Sequence, residues 1–213
     1  MCPLLLLCWA LIPTSVSCLN VVAIGGSGRV GASTIKQLFG FAQDEGISGI
    51  DVTVGGRSRE RFEEARNRTP ELGRCGFVEV ALDDKESLCD AIRGADLVIH
   101  TAGPFQGRTI PQVLDAALEC GVAYVDVCDE TELVRDVKGP KYDGRAREVG
   151  VPCVVSAGIW PGISAMMARE AEDRLGSSLV DAEYSFFTAG ERGRGVGQRH
   201  GAVLNFEQFI LTT

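Results

Sequence analysis

From residue 20 to about residue 158, short apolar runs alternate with stretches whose apolar positions recur every three or four residues. Asn20-Val21-Val22-Ala23-Ile24 is apolar and β-branched with no polar face, the pattern of a strand buried on both sides. Ile50–Val54, Phe77–Leu82, Leu97–His100, Val122–Val127 and Val151–Ser156 give five more strands. Between them, Ile35, Leu38, Phe39 and Ala42 recur at helical spacing, and Ser58 is placed to cap a helix running through Arg68. Asp83-Asp84-Lys85-Glu86 opens a helix as a capping box; it carries Leu88 and Ile92 and is stopped by Gly94. Thr109, with Pro111 early in the helix, starts Val113–Cys120, which Gly121 closes, and Tyr142–Val149 is a further helix. Six strands with helices between them predict an α/β fold: a parallel, doubly wound sheet of the Rossmann type.

After Gly158 the rhythm changes. Ile163–Leu175 reads as one more helix and Asp181–Thr188 as a strand with aromatic character. A glycine- and arginine-rich loop, Gly190–Gly197, then leads into an apolar tail ending at Thr213. The expected organisation is an extension over 1–18, a dinucleotide-binding domain over 19–160, and the start of a second α/β domain over 161–213. The loop is expected to be mobile and the tail poorly supported, because glycines make ordering unfavourable without a packed partner.

The chain has 213 residues, 45% of them hydrophobic and 23% charged, enough to bury a real core. Its net charge of -8 argues against nucleic acid or an anionic membrane surface as partner. There are eight cysteines without a C-x-x-C pair and two histidines, so no metal site is expected and the thiols read as reduced and mostly buried. Pro3–Pro13 is a short apolar segment without a basic flank and too short to span a bilayer comfortably. It has three readings: a targeting leader, a membrane-proximal anchor, or a start upstream of the true domain. A cytoplasmic or organellar location is favoured, with a secretory leader as the alternative, and a membrane partner is expected only if this segment is retained.

The stretch Gly25-Gly26-Ser27-Gly28-Arg29-Val30-Gly31 lies between the first strand and a helix. It contains two overlapping frames: G-x-G-x-x-G from Gly26 and G-x-x-G-x-x-G from Gly25. Glycines at such spacing allow a tight turn, close approach of backbone to a pyrophosphate, and close helix–strand packing, while the helix N-terminus offers N–H groups to the phosphates. A carboxylate about 20 residues on would hold the ribose of NAD. Asp51 lies near that spacing but opens its strand and points toward the wrong edge. The tip of that strand, Gly55-Gly56-Arg57-Ser58-Arg59, has no acid, two arginines and a hydroxyl, the set expected to hold a 2′-phosphate; NADP(H) is preferred over NAD(H). Thr101-Ala102-Gly103-Pro104 follows the fourth strand beside the switch point, where small residues permit approach of the nicotinamide ribose. His100 reads as a packed, hydrogen-bonded histidine before a proton donor. Asp126, Asp129 and Glu130 stand at the tip of the fifth strand, for a substrate ammonium, for proton transfer or as helix caps.

Five segments together, "VAIGGSGRVG", "TVGGRSRERFEEA", "DLVIHTAGPFQG", "VLDAALECGVAYVDVCDE" and "VVSAGIWPGISAMMA", resemble the NADP-binding domain of saccharopine dehydrogenase-like proteins, over roughly Asn20–Arg169. The resemblance implies that Gly26, Gly28 and Gly31 bind the pyrophosphate, Arg57 and Ser58 the 2′-phosphate, and Ala102, Gly103 and Pro104 the nicotinamide side. It also implies an oxidoreductase acting on an amino-acid-type or related small substrate, with a following α/β domain that mediates homodimerisation. Only the beginning of that domain is present in this chain. The alternative is a non-catalytic NADP(H)-binding module or an inactive fragment.

Overall fold

The computed structural model describes residues 18–185 and the backbone of 208–212. Six parallel strands form one sheet: β1 (Leu19–Ile24), β2 (Ile50–Gly56), β3 (Gly76–Glu79), β4 (Leu97–His100), β5 (Ala123–Asp126) and β6 (Cys153–Val154). Their order is β3-β2-β1-β4-β5-β6. The chain therefore winds outward from β1 in one direction, returns, and continues from β4 in the other. The switch point lies between β1 and β4, at whose carboxyl ends ligands settle in folds of this kind. This is the doubly wound architecture expected from the alternating pattern.

The helices over the described residues are α1 (Arg29–Asp44), α2 (Arg59–Arg68), α3 (Lys85–Ile92), α4 (Gln112–Cys120), α5 (Thr131–Val137), α6 (Pro140–Val149) and α7 (Ile163–Leu175), with a 3-10 turn at Pro70–Arg74. Side chains of a strand alternate between its two faces, and β1 uses both. Val21 and Ala23 pack with Ile35, Phe39, Val52, Val54 and Phe62. Val22 and Ile24 pack with Leu88, Ile92, Val98, Val113 and Leu114 on the other side. Burial on both faces is why the strand carries no polar stripe.

Local signals set most helix starts. Ser58 Oγ accepts the N–H of Arg61 at 3.3 Å, and Asp84 Oδ1 accepts those of Glu86 and Ser87 at 3.0 and 3.2 Å; each such cap contributes about 1 kcal/mol. Thr109 does not start α4. The helix opens after Pro111, whose ring already fixes φ and which makes no side-chain cap. Strands β3, β5 and β6 are shorter than the apolar runs that announce them. Val80 and Val122 remain buried outside the ladder, because packing under loops also removes apolar side chains from water. Helix α5 has too few residues for a periodic pattern to stand out.

Compactness divides the chain into Met1–Pro161 and Gly162–Thr213. In the second unit, β7 (Asp181–Ser185) pairs antiparallel with β8 (Gln208–Thr212), and the buried Tyr184 hydroxyl donates to the Ser164 carbonyl at 2.7 Å. The tail expected to lack support is thus a paired strand over these five positions, since pairing satisfies backbone groups that a free tail would leave to water. Thr188, the Gly190–Gly197 loop and the segment Pro3–Pro13 lie outside the described residues. No described helix is long and apolar enough to cross a membrane.

Candidate functional site

The glycine turn joins β1 to α1. Gly25 has φ +82°, and a Cβ there would lie 2.6 Å from the Ala102 nitrogen. A Cβ at Gly31 would lie 2.5 Å from the Gly25 carbonyl oxygen and 2.6 Å from Thr101 Oγ1. Both positions exclude a side chain for reasons of backbone contact. At Gly26 a Cβ would lie 2.9 Å from the buried end of Ile35 and 3.0 Å from the Ala23 carbonyl oxygen, whereas at Gly28 only the Gly25 carbonyl approaches, at 3.2 Å. Both overlapping frames share Gly28 and Gly31: Gly25 turns the chain, Gly28 leaves the approach open, and Gly26 and Gly31 leave no room for a side chain where helix and strand meet.

Gly28 caps α1 without a side-chain hydrogen bond. The N–H groups of Arg29, Val30 and Gly31 are the first-turn donors of a 16-residue helix that has no side-chain cap, the kind of end that suits an anion. Ser27 Oγ reaches toward the tip of β2, lying 3.4 Å from the Cβ position of Gly56. A groove of about 280 Å³, lined by Ser27, Gly28, Arg29, Lys36, Arg68 and Thr69 among others, runs along the flank of the turn between α1 and α2. A larger one, about 440 Å³, lies against α4, α6 and the β6 edge, away from the glycines and unrelated to this chemistry.

At the tip of β2 the two arginines have different duties. The Arg59 guanidinium lies 5.0 Å above the centre of the Phe77 ring, which itself stacks on Phe62 at 5.1 Å. Arg57 is exposed, and among the described residues it enters no ion pair. The stretch itself holds no acid, but Glu60 folds back on it: Ser58 donates to Glu60 Oε2 at 2.6 Å. That bond, chiefly, holds the Glu60 carboxyl below its ordinary range. Asp51, at the opposite end of β2, is exposed and plays no part here.

The tips of β4, β5 and β6 are built differently. Thr101 N–H and Oγ1 both bond the Ile24 carbonyl, at 2.8 and 3.2 Å, which pins Thr101-Ala102-Gly103-Pro104 beside the glycine turn. His100 Nδ1 lies 2.9 Å from the Tyr124 hydroxyl, and that hydroxyl donates to Asp126 Oδ2 at 2.9 Å. Asp126 Oδ1 also accepts the N–H groups of Cys128 and Ser156, at 3.0 and 2.7 Å. Burial pushes the His100 imidazole down to about 4, helped by the positive charge of Arg108. The backbone of Ala102 opposes this weakly, without a hydrogen bond of proper geometry to the ring. Burial first, and the Asp126 charge second, raise the Tyr124 phenol well above its usual value. His100 is thus a packed, neutral histidine at physiological pH.

Glu130 stands at the N-cap position of α5, but neither its side chain nor that of Asp129 caps the helix. Asp129 accepts from the Gln106 amide and Glu130 from the Gly107 N–H, both at 2.7 Å, while α5 starts without a side-chain cap. They latch the far end of the loop that begins at Thr101. In the sequence neither Tyr124 nor Ser156 was singled out as a site residue. A signal existed for the first: in a strand, Tyr124 and Asp126 are two apart and so share a face. For Ser156, with φ +63° beyond a two-residue strand, there was none.

An open helix N-terminus beside a switch point, glycines excluded from bearing side chains, and a basic tip on the neighbouring strand define a dinucleotide-binding domain of the Rossmann class. Residues 21–154, more than half of the chain, match the family described as the saccharopine dehydrogenase NADP binding domain, and the chain belongs to that family. A lipid droplet localized protein of Caenorhabditis elegans is 33% identical over 153 residues, 68% of this chain and 34% of that protein. Apo saccharopine dehydrogenase (L-Glu forming) from Saccharomyces cerevisiae superposes with a TM-score of 0.58 at 20% identity, over 74% of this chain and 31% of that one, a likeness of fold. The chain spans about a third of the length of these relatives. Its cofactor is NADP, and the residues around the turn suit that group: free N–H donors, an unobstructed Gly28 and an arginine without an ion-pair partner among the described residues.

Proposed function

We propose that the chain holds NADP(H) with its pyrophosphate on Gly25–Gly31, its 2′-phosphate on Arg57 and Ser58, and its nicotinamide side at Thr101–Pro104. The observation that carries this reading is the meeting of uncapped α1 with a β2 tip whose Arg57 has no ion-pair partner among the described residues. Bound there, the cofactor supplies a hydride donor or acceptor. The chain's own groups neutralise phosphate charge, orient the dinucleotide along the strand tips and hold the loop after β4 in place. Within the longer proteins of its family, the domain would serve an oxidoreductase acting on an amino-acid-type or related small substrate, through an imine, amine or carbonyl carbon. Titration of the purified chain with NADPH and NADH tests the reading: NADPH is expected to bind more tightly. Arg57→Ala is expected to weaken NADPH about tenfold and NADH little, as for loss of one charge-assisted contact. Equal affinities would remove the 2′-phosphate assignment.

A second reading, NADP(H) binding without turnover, draws on the engaged state of the acid–base groups. His100, Tyr124, Asp126, Asp129 and Glu130 all bond within the fold. Absence of NADPH oxidation with any imine or carbonyl panel, at undiminished NADPH affinity, would favour it. Homodimerisation through the second unit is likewise a proposal, supported by the exposed Ile163, Met166 and Met167 on one side of α7 and tested by sedimentation. For location we propose the cytoplasm, including the surface of lipid droplets named for the nematode relative, with the apolar Pro3–Pro13 segment as the contact. Imaging a tagged chain with and without that segment tests it.

A further inference from the structure

At the carboxyl ends of β4, β5 and β6, four polar side chains are withdrawn from water: His100 (8% exposed), Tyr124 (3%), Asp126 (6%) and Ser156 (5%). Three of them form a directed chain. The Tyr124 hydroxyl gives its proton to Asp126, so its oxygen accepts from His100, which fixes the Nδ1–H tautomer. The remaining ring nitrogen of His100, and the Ser156 hydroxyl, are enclosed without a hydrogen-bond partner among the described residues. Each unmet group of this kind is unfavourable in a core. Neighbouring positions such as Val98, Val113 and Leu114 are filled by aliphatic side chains, so the cluster is a poor device for stability alone.

What the cluster does is bind three loops to one another. His100 is the last residue before Thr101–Pro104. Asp126 takes the N–H of Cys128 in the loop after β5 and that of Ser156 in the loop after β6, and its carbonyl accepts from Ala157 at 2.8 Å. Asp129 and Glu130, from the loop after β5, grip Gln106 and Gly107. The loop so held touches the glycine turn with no slack, since Ala102 leaves no room for a Cβ on Gly25.

We propose that His100, Tyr124 and Asp126 are positioning residues for the nicotinamide half of the cofactor, setting where Thr101–Pro104 stands against the glycine turn. This rests on the cofactor placement given above. The adenosine half is held by β1, β2 and α1; His100 sits beside Ile24 in the ladder, but no hydrogen bond of the His100–Tyr124–Asp126 side-chain chain reaches these elements, and the two halves can therefore be read separately.

The experiment compares NADPH with adenosine 2′,5′-bisphosphate, which keeps the adenosine, its 2′-phosphate and its 5′-phosphate but lacks the second pyrophosphate phosphate and the nicotinamide ribose. Tyr124→Phe removes one oxygen, preserves the ring, and severs both bonds of the chain. It is expected to raise the NADPH dissociation constant about tenfold and to reduce the fluorescence change of bound NADPH. Adenosine 2′,5′-bisphosphate should bind unchanged. His100→Leu should behave in the same way, while His100→Asn, which retains an N–H donor near the Nδ1 position, should recover most of the NADPH affinity. If Tyr124→Phe weakens both ligands equally, or neither, the cluster is only part of the core and the proposal falls while the cofactor placement stands. If the unaltered chain fails to bind the bisphosphate, the placement itself falls and takes this proposal with it.

Discussion

The glycine turn after β1 and the linked tips of β4, β5 and β6 stand at the same edge of one sheet and are made of opposite materials. The first is backbone: N–H groups without side-chain caps, glycines that exclude a Cβ, and an approach left open at Gly28. The second is side chain: a buried relay from His100 to Asp126 that cross-links three loops. A backbone site tolerates little change at a few glycines. A side-chain relay fails as a unit, because each member satisfies another's buried donor or acceptor.

The largest expected effect breaks the relay at its hub. Asp126→Ala leaves the Tyr124 hydroxyl and the N–H groups of Cys128 and Ser156 without their acceptor. It should lower unfolding free energy by about 3–5 kcal/mol in denaturant melts. A loss under 1 kcal/mol would show that water takes over the contacts.

Acid should act through the same region. Folded His100 titrates at about 4, against about 6.5 in the unfolded chain. Above 6.5 the group contributes no pH dependence. Between 6.5 and 4 the unfolded chain gains a proton that the folded one refuses, so stability falls with pH, by on the order of 3 kcal/mol once both forms are protonated. His100→Asn should flatten this part of the profile; an unchanged slope would assign the acid sensitivity to other groups.

On the backbone side, Gly31→Ala brings a methyl against the Gly25 carbonyl and Thr101. It should destabilise by about 2 kcal/mol and abolish measurable NADPH binding by isothermal titration. Gly28→Ala, facing a single atom at 3.2 Å, should leave the melt within about 0.5–1 kcal/mol, near the range of an exposed substitution. Its effect should appear in nucleotide affinity. Equal melts for the two variants would erase the distinction between the packing glycine and the open one.

The smallest effect sharpens the β2 tip. Glu60→Gln removes a negative charge from the Ser58 hydroxyl and should tighten NADPH about threefold, an effect that fades in high salt as screening grows. NADH should respond less. An unchanged NADPH affinity would place the 2′-phosphate elsewhere.

The order of strands and helices was legible from residues 20–158 because both faces of the sheet demand apolar runs, and amphipathic helices must cover them. The glycine turn was legible for a related reason: a backbone that turns at φ +82° and meets another strand's loop restricts its own residue types locally. Which residues close on that turn was not: Ala102 meets Gly25 from 77 positions away and Thr101 meets Gly31 from 70. The arginines of the β2 tip read alike in sequence and differ in space, because Phe77, a strand away, takes one of them.

Asp126 was visible as a carboxylate at a strand tip, but its partners come from its own strand, from the loop after it and from beyond β6, and hydrogen bonds of this kind leave no periodic trace. Asp129 and Glu130 satisfied the grammar of a helix start and were drawn to the loop after β4 instead. The sequence by itself determined the elements and the backbone-made phosphate turn, where each residue answers to its own dihedrals and its own face. Only the tertiary structure decided which polar side chains meet, since burial makes an unpaired donor or acceptor unfavourable and the partner that relieves it is whichever group the sheet order brings within 3 Å.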